Sequence, residues 1–311
     1  MGRRRPRHHH LALTLALGLG ALTGQAVADT GASAVQRVAP ADDVPAGLQC
    51  LWHAYPDHVC QVKANTLVWC DGAEMVYDTG EAHASHDDLL NHADLQDMMA
   101  MPYPVGADAP SPPAVNFEPG RVRHEPFFRK LYGDSRKAVS RQTKAVRWFG
   151  GKRVRVTTVN GVHERLEAAR DALRKLPPAE QRFVETTAGT FNWRTISGTP
   201  RLSMHSFAVA IDVGVPHADY WKWSKPASRP KVWKRTAATA KPASRPKVGK
   251  RTAATAKDKT AEGALVYRNR FPMSVVTAFE AQGFIWGGKW YHFDTMHFEY
   301  RPELLHARCA R

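Results

Sequence analysis

Two short segments hold the residues whose types and spacing can do chemistry. The first, Ser203-Met-His-Ser-Phe-Ala-Val-Ala-Ile-Asp212, sets His205 seven residues before Asp212. The second, Trp290-Tyr-His-Phe-Asp-Thr-Met-His-Phe-Glu-Tyr300, sets Asp294 three residues before His297. Imidazole nitrogens and carboxylate oxygens are zinc donors. A catalytic zinc takes three protein ligands, keeps one position open for water, and works beside a carboxylate that accepts a proton from that water. His205, Asp212 and His297 as ligands, with Asp294 as the base, fill those four roles. Spacing alone argues weakly for this set, because a His and an Asp seven apart also occur as ordinary core and surface polar residues.

The surrounding elements must bring these residues together. On one continuous strand an odd offset points His205 and Asp212 to opposite faces, so the chain has to turn or bulge between them. Arg153 to Val159 alternates like a half-buried strand, and Asn160 or Gly161 can start a helix through about Leu176, stopped by Pro177-Pro178. Strand candidates lie at Gly189–Arg194, Ser206–Val213 and Trp290–Tyr300. Pro272 precedes a helical pattern over Met273–Gln282 that Gly283 ends. Residues 143–311 therefore read as an α+β domain with a small, mostly antiparallel sheet and flanking helices. Residues 29–142 read as an N-terminal extension that wraps it. Within the extension, Leu67–Cys70 and Met75–Tyr77 suggest a hairpin around a type I′ turn at Asp71-Gly72. His86–Met101 has helical spacing, and the Pro-rich run Met101–Pro126 reads as extended.

The formal net charge is +15. It is concentrated in a few places, with Arg3, Arg4, Arg5 and Arg7 near the start and ten Lys or Arg without an acid in residues 225–256. The remainder is close to neutral, which argues against a basic nucleic-acid face across the domain. Residues 225–240 and 241–256 are a tandem duplication differing only at Trp233 against Gly249. Residues 225–260 thus read as a basic, disordered insert. It is either a tolerated duplication or a nonspecific tether to anionic wall polymer or lipid. Residues 1–28 read as a signal peptide: an Arg-rich start, an apolar stretch from Leu11 to about Gly24, then Ala26-Val27-Ala28. The stretch is short for a membrane span, although an uncleaved anchor is the alternative. The protein is accordingly expected to be exported, to a periplasm or the medium. Cys50, Cys60, Cys70 and Cys309 fit disulfides in an oxidising compartment, and three pairings are open.

The pattern S-x-H-x-x-x-x-A-x-D followed by W-x-x-x-D-x-M-H-F-E resembles the M15 metallopeptidases, which include D-alanyl-D-alanine carboxypeptidases and L-alanyl-D-glutamate endopeptidases. The resemblance spans roughly residues 145–305. It implies a fold of the hedgehog/D-Ala-D-Ala-peptidase type carrying one Zn2+ per chain. By resemblance His205, Asp212 and His297 bind that zinc, Asp294 is the general base, and an upstream arginine polarises the scissile carbonyl. Arg194 matches that arginine best, with Arg201 as runner-up. The substrate implied is a peptidoglycan stem peptide, and the reaction removal of terminal D-alanine, with the L-alanyl-D-glutamate endopeptidase as the alternative. A non-catalytic wall-binding protein is the further possibility. It is favoured only by Ala208, which stands where the family usually has Gly and where positive φ would cost an alanine roughly 1 kcal/mol.

Blander readings accompany other residues. Glu299 shares a strand face with His297, so Glu299 or His292 can orient a ligand or be structural. Trp286, Trp290 and Tyr291 fit a core better than a cleft. Ser203 and Ser206 lack a nucleophile elbow.

Overall fold

Asp212 and His297 stand directly opposite each other on neighbouring antiparallel strands, and the fold is best followed outward from that pair. The computed structural model describes residues 35–106, 111–224 and 265–309. The expected signal peptide (1–28) and the basic insert (225–260) lie outside the described residues. The described elements run α1 (Ala46–Ala54), β1 (Val59–Lys63), β2 (Thr66–Trp69), β3 (Glu74–Val76), α2 (His86–His92), α3 (Leu95–Met99), α4 (Glu125–Tyr132), α5 (Arg136–Arg141), β4 (Thr143–Arg147), β5 (Arg153–Thr157), α6 (Val162–Leu173), α7 (Pro178–Gln181), β6 (Thr187–Gly189), β7 (Ala210–Val213), α8 (Met273–Glu280), β8 (Phe284–Trp286), β9 (His297–Tyr300) and α9 (Pro302–Leu305). No helix among the described residues is long and apolar enough to cross a membrane.

The strands form three antiparallel sheets: β1-β2-β3, β4-β5, and a four-stranded sheet in the order β6-β7-β9-β8. This is the expected α+β class with small antiparallel sheets. Helix α8 packs its Phe279 on Phe298 of β9, ring centroids 4.0 Å apart, and meets Phe284 of β8 edge-on. Such aromatic pairs add about 0.5–1.5 kcal/mol beyond the area they bury. At Gly283 the chain turns from α8 into β8 with φ +88°, where a Cβ would lie 2.6 Å from the ring of Tyr300. Only glycine fits that corner.

The apolar core is shared along the chain. Leu48 and Leu51 of α1, Phe127 and Phe128 of α4, Val154 and Val156 of β5, Leu166 of α6 and Phe298 of β9 belong to one buried cluster. The described residues all belong to one compact unit. The cysteines pair as Cys50–Cys309, joining α1 to the chain just beyond α9, and Cys60–Cys70 within the first sheet, leaving no free thiol.

Several local expectations need correction. The β2–β3 hairpin exists, but its loop is Cys70-Asp71-Gly72 with Trp69 N bonded to Ala73 O. Among these residues only Gly72 has positive φ, whereas a type I′ turn requires two such residues. His86–Met101 is two helices rather than one. Asp94 adopts extended geometry and closes a capping box with Asp97, which starts α3 afresh. The expected strand Gly189–Arg194 is confined to β6. Beyond it, Thr190, Asn192 and Arg194 spend their backbone groups on His205 and Ser206. The expected strand Trp290–Tyr300 shortens to β9, because Asp294 N bonds Gly287 O and bends the preceding residues into a loop.

Candidate metal centre

The segment expected as a strand over Ser206–Val213 divides in two, which resolves the spacing problem. Met204–Phe207 is a 3-10 turn capped by Ser203, whose Oγ accepts from the backbone N of His205. The turn ends at Ala208 with φ +57° and ψ +33°, and β7 begins at Ala210. The reversal at Ala208 places His205 on the same side as Asp212. Alanine therefore occupies a left-handed position, which costs an L-residue about 1–2 kcal/mol relative to its ordinary wells. The carbonyl of Ala208 accepts from Thr157 N at 3.0 Å, pinning the turn to β5.

His205 Nε2 lies 3.2 Å from Asp212 Oδ2, and His297 Nδ1 lies 3.0 Å from Asp212 Oδ1. One donor atom from each of the three residues falls within 4.8 Å of the others. The opposite ring nitrogens are engaged: His205 Nδ1 with the carbonyl of Thr190 at 2.6 Å, and His297 Nε2 with Glu299 Oε2 at 3.0 Å. Each of those partners only accepts, so each imidazole donates its one proton outward and aims a lone pair at Asp212. Two lone pairs facing one carboxylate need a cation or protons between them.

The donor set fits a divalent metal. His205 Nε2 is buried without a hydrogen-bond partner, and a tetrahedral zinc with bonds of about 2.1 Å requires donors roughly 3.4 Å apart. Without a cation the site turns to protons. Burial by itself would lower the His297 imidazole, but hydrogen bonds with Asp212 and Glu299 outweigh it and raise the group to about 10. Burial likewise opposes the Asp212 charge, yet the two histidines hold it well below the usual carboxylate range.

Asp294 reaches the same cavity from the loop before β9. Its backbone bridges to Tyr220, while Trp221 N bonds Phe293 O at 2.9 Å and Thr295 N bonds Asp219 O at 3.0 Å. Its Oδ1 is closed off from solvent and unpartnered. Burial, with no hydrogen bond to offset it, pushes the carboxyl up to about 6. Arg194 lines the rim, exposed, and its Nη1 donates to Thr195 O at 3.4 Å. Arg201 lines the same cavity but is buried. All five residues singled out from the sequence thus meet in one cavity.

Glu299 is fully buried and also faces Arg301 at 3.1 Å and Arg123 at 3.6 Å. His292, the other candidate orienter, turns instead to Glu118. Trp286 and Trp290 are core residues, though Trp290 also forms one wall of the cavity. Arg121, Arg123 and Tyr220 line it as well, and motif spacing did not reveal them. The paired arginines of Arg121-Val-Arg123, in a stretch otherwise near neutral, were the only available signal.

A small antiparallel sheet that brings two histidines, a carboxylate between them and a second, unpartnered carboxylate into one cleft has the donor set of a metal-dependent hydrolase. Residues 197–300, about a third of the chain, match the family model described as D-alanyl-D-alanine carboxypeptidase, so the region that carries both halves of this site is similar to an M15 family peptidase. The substrate class that family implies is a peptide derived from peptidoglycan. Neither a curated protein nor a solved structure matches the chain.

Proposed function

We propose that the protein is an exported, zinc-dependent peptidase of peptidoglycan stem peptides, acting as a D-alanyl-D-alanine carboxypeptidase. The observation that carries this reading is the convergence of His205, Asp212 and His297 beside the unpartnered carboxylate of Asp294. His205, Asp212 and His297 would hold the ion, which when bound supplies Lewis-acid polarisation of a carbonyl and acidifies a water. Asp294 accepts the proton of the attacking water, and its raised pKa suits a group that must later return that proton to the leaving amine. Arg194, an exposed cation at the rim, would meet negative charge developing on the scissile carbonyl.

Two disulfides with no free thiol support the exported reading, since such pairs persist in oxidising compartments. The second reading, cleavage between L-alanine and D-glutamate, is favoured by the identity of the base. Asp at position 294 resembles the endopeptidase branch. A binding protein without turnover is disfavoured by the same residue, because a buried carboxylate with no partner costs stability and has no evident structural use.

The test is to measure bound zinc and D-alanine released from a pentapeptide stem, for the wild type and for Asp294→Ala. One zinc per chain in both proteins, with release only by the wild type, is expected. Zinc bound without cleavage of any stem peptide removes the catalytic claim, and a folded protein that binds no zinc removes the site.

A further inference from the structure

Three arginines meet on the wall of the cavity beside Asp294 and His297: Arg121, Arg123 and Arg201. Two of them have carboxylate partners. Arg121 Nε lies 3.0 Å from Glu118, and Arg123 lies 3.6 Å from Glu299. Arg201 has none within 4.0 Å among the described residues, though it is only 8% exposed. Its Nη1 donates to the carbonyl of Arg121 at 3.3 Å, while its Nε is buried without a partner. Arg123 in turn donates to Leu202 O at 3.2 Å and Arg201 N donates to Thr199 Oγ1 at 3.3 Å, so the chain on both sides of Arg201 is held.

Glu118, Glu125 and Asp87 act on Arg201 at longer range, but none pairs with it within 4.0 Å, and Glu125 is engaged by Arg129 and by Leu202 N. Glu299 is already shared by His297, Arg123 and Arg301, and Glu118 by Arg121 and the histidines at 86 and 292. Asp212 faces the two histidine ligands. A buried guanidinium with an unused donor and no directly paired carboxylate among the described residues is costly, and it is suited to a planar anion.

We propose that Arg201, assisted by Arg121 and Arg123, is the binding site for a free carboxylate on the residue whose amine departs. The proposal rests on the peptidase reading and says which feature of the substrate that site requires. Both candidate bonds present this chemistry. In D-alanyl-D-alanine it is the terminal carboxylate, and in a stem peptide continued through the side chain of D-glutamate it is the α-carboxylate that the linkage leaves free. In either case it hangs on the carbon that bears the leaving nitrogen. The guanidinium therefore reads the group next to the scissile bond, and a carboxamide there loses the charge-assisted pair.

The experiment uses the zinc-loaded full chain and two matched pairs of peptides. One pair ends in D-alanyl-D-alanine or its C-terminal amide, and the other contains L-alanyl-γ-D-glutamate or its D-isoglutamine form. For whichever bond is cut, kcat/KM is expected to fall about 10- to 100-fold from acid to amide, carried mainly by KM. In Arg201→Gln that ratio should collapse to within a few-fold, and Arg201→Lys should restore part of it. The same two pairs are then titrated calorimetrically into Asp294→Asn, with and without Arg201→Gln, after thermal melts have shown the variants folded. Acid is expected to bind more tightly than amide only where Arg201 is present. Equal handling of acid and amide by the wild type, or a ratio unchanged in Arg201→Gln, overturns the subsite and leaves the peptidase reading intact. Carboxylate-selective binding that depends on Arg201, with no cleavage of any peptide, upholds the subsite and rejects the peptidase reading.

Discussion

Glu299 Oε2 holds the Nε2 of His297 at 3.0 Å, from two residues along the same strand, and so decides which ring nitrogen looks into the cavity. Glu299→Gln keeps the shape but removes the charge that favours this tautomer. Metal affinity is expected to fall about 10- to 100-fold, read by competition with a coloured chelator. Stability should fall too, by roughly 3 kcal/mol, because Arg301 and Arg123 lose a buried counter-charge. A variant that binds metal like the wild type would show that Glu299 serves only the ion network.

Asp294 gives a pH-dependent prediction in the metal-free protein. Its carboxyl stands at about 6 in the fold, against 3.8 for an ordinary aspartate. An acid raised in the folded state destabilises the fold above the folded pKa and has no effect below the unfolded one. Asp294→Asn removes that term. At pH 7 with a chelator present the variant should be more stable by roughly 2–3 kcal/mol. The gain should shrink as pH drops through about 6 and vanish below about 4. Urea melts across this range would show it, and a variant no more stable than the wild type at pH 7 would contradict the buried, charged carboxylate.

Ala208 is buried and left-handed, Ala210 buried and in a strand. Glycine at either position loses a methyl contact and gains unfolded-state entropy, but at 208 it also relieves strain. Ala208→Gly should stay within about 1 kcal/mol of the wild type, while Ala210→Gly should cost roughly 1–2 kcal/mol. Thermal melts giving the reverse order would mean that the left-handed turn is unstrained.

Removal of residues 225–256 tests what the duplication contributes. The stems on its two sides meet outside it, since Arg270 pairs with Asp219 at 3.0 Å and its Nη2 donates to Ala218 O at 2.9 Å. Hydrolysis of soluble stem peptides is therefore expected to stay within about twofold, as for other tolerant surface insertions. Binding to anionic wall polymer or vesicles should weaken if the insert is a tether. A shortened chain that folds but no longer cleaves would make the insert part of the site.

Much of this site was legible because its residues fall in two dense motifs, and motif order does not depend on knowing how the backbone bends. The helices α6 and α8 were legible for a related reason: Gly161, Pro177, Pro272 and Gly283 punctuate them. The bend was legible only as a requirement of the odd offset between His205 and Asp212, and its form was not. Nothing local distinguishes Ser206–Ala208 from the start of a strand, and Ala208 lacks the glycine that would mark a left-handed residue. Helix α1 escaped because Gly47 to Leu51 are buried in succession, which leaves no polar face to set a period. Arg123 and Glu299 were brought together only by the tertiary fold, across 176 residues of separation, and no spacing rule reaches that far.

The Cys50–Cys309 bridge has a consequence for a chain that has been cut. A single proteolytic cleavage between residues 224 and 265 would leave His205 and Asp212 on one fragment, with Cys50, and Asp294 and His297 on the other, with Cys309. The bridge joins those fragments covalently, and the β7–β9 pairing aligns them. The two halves of the centre would then behave as a linked heterodimer, running as one band on a gel until the disulfide is reduced.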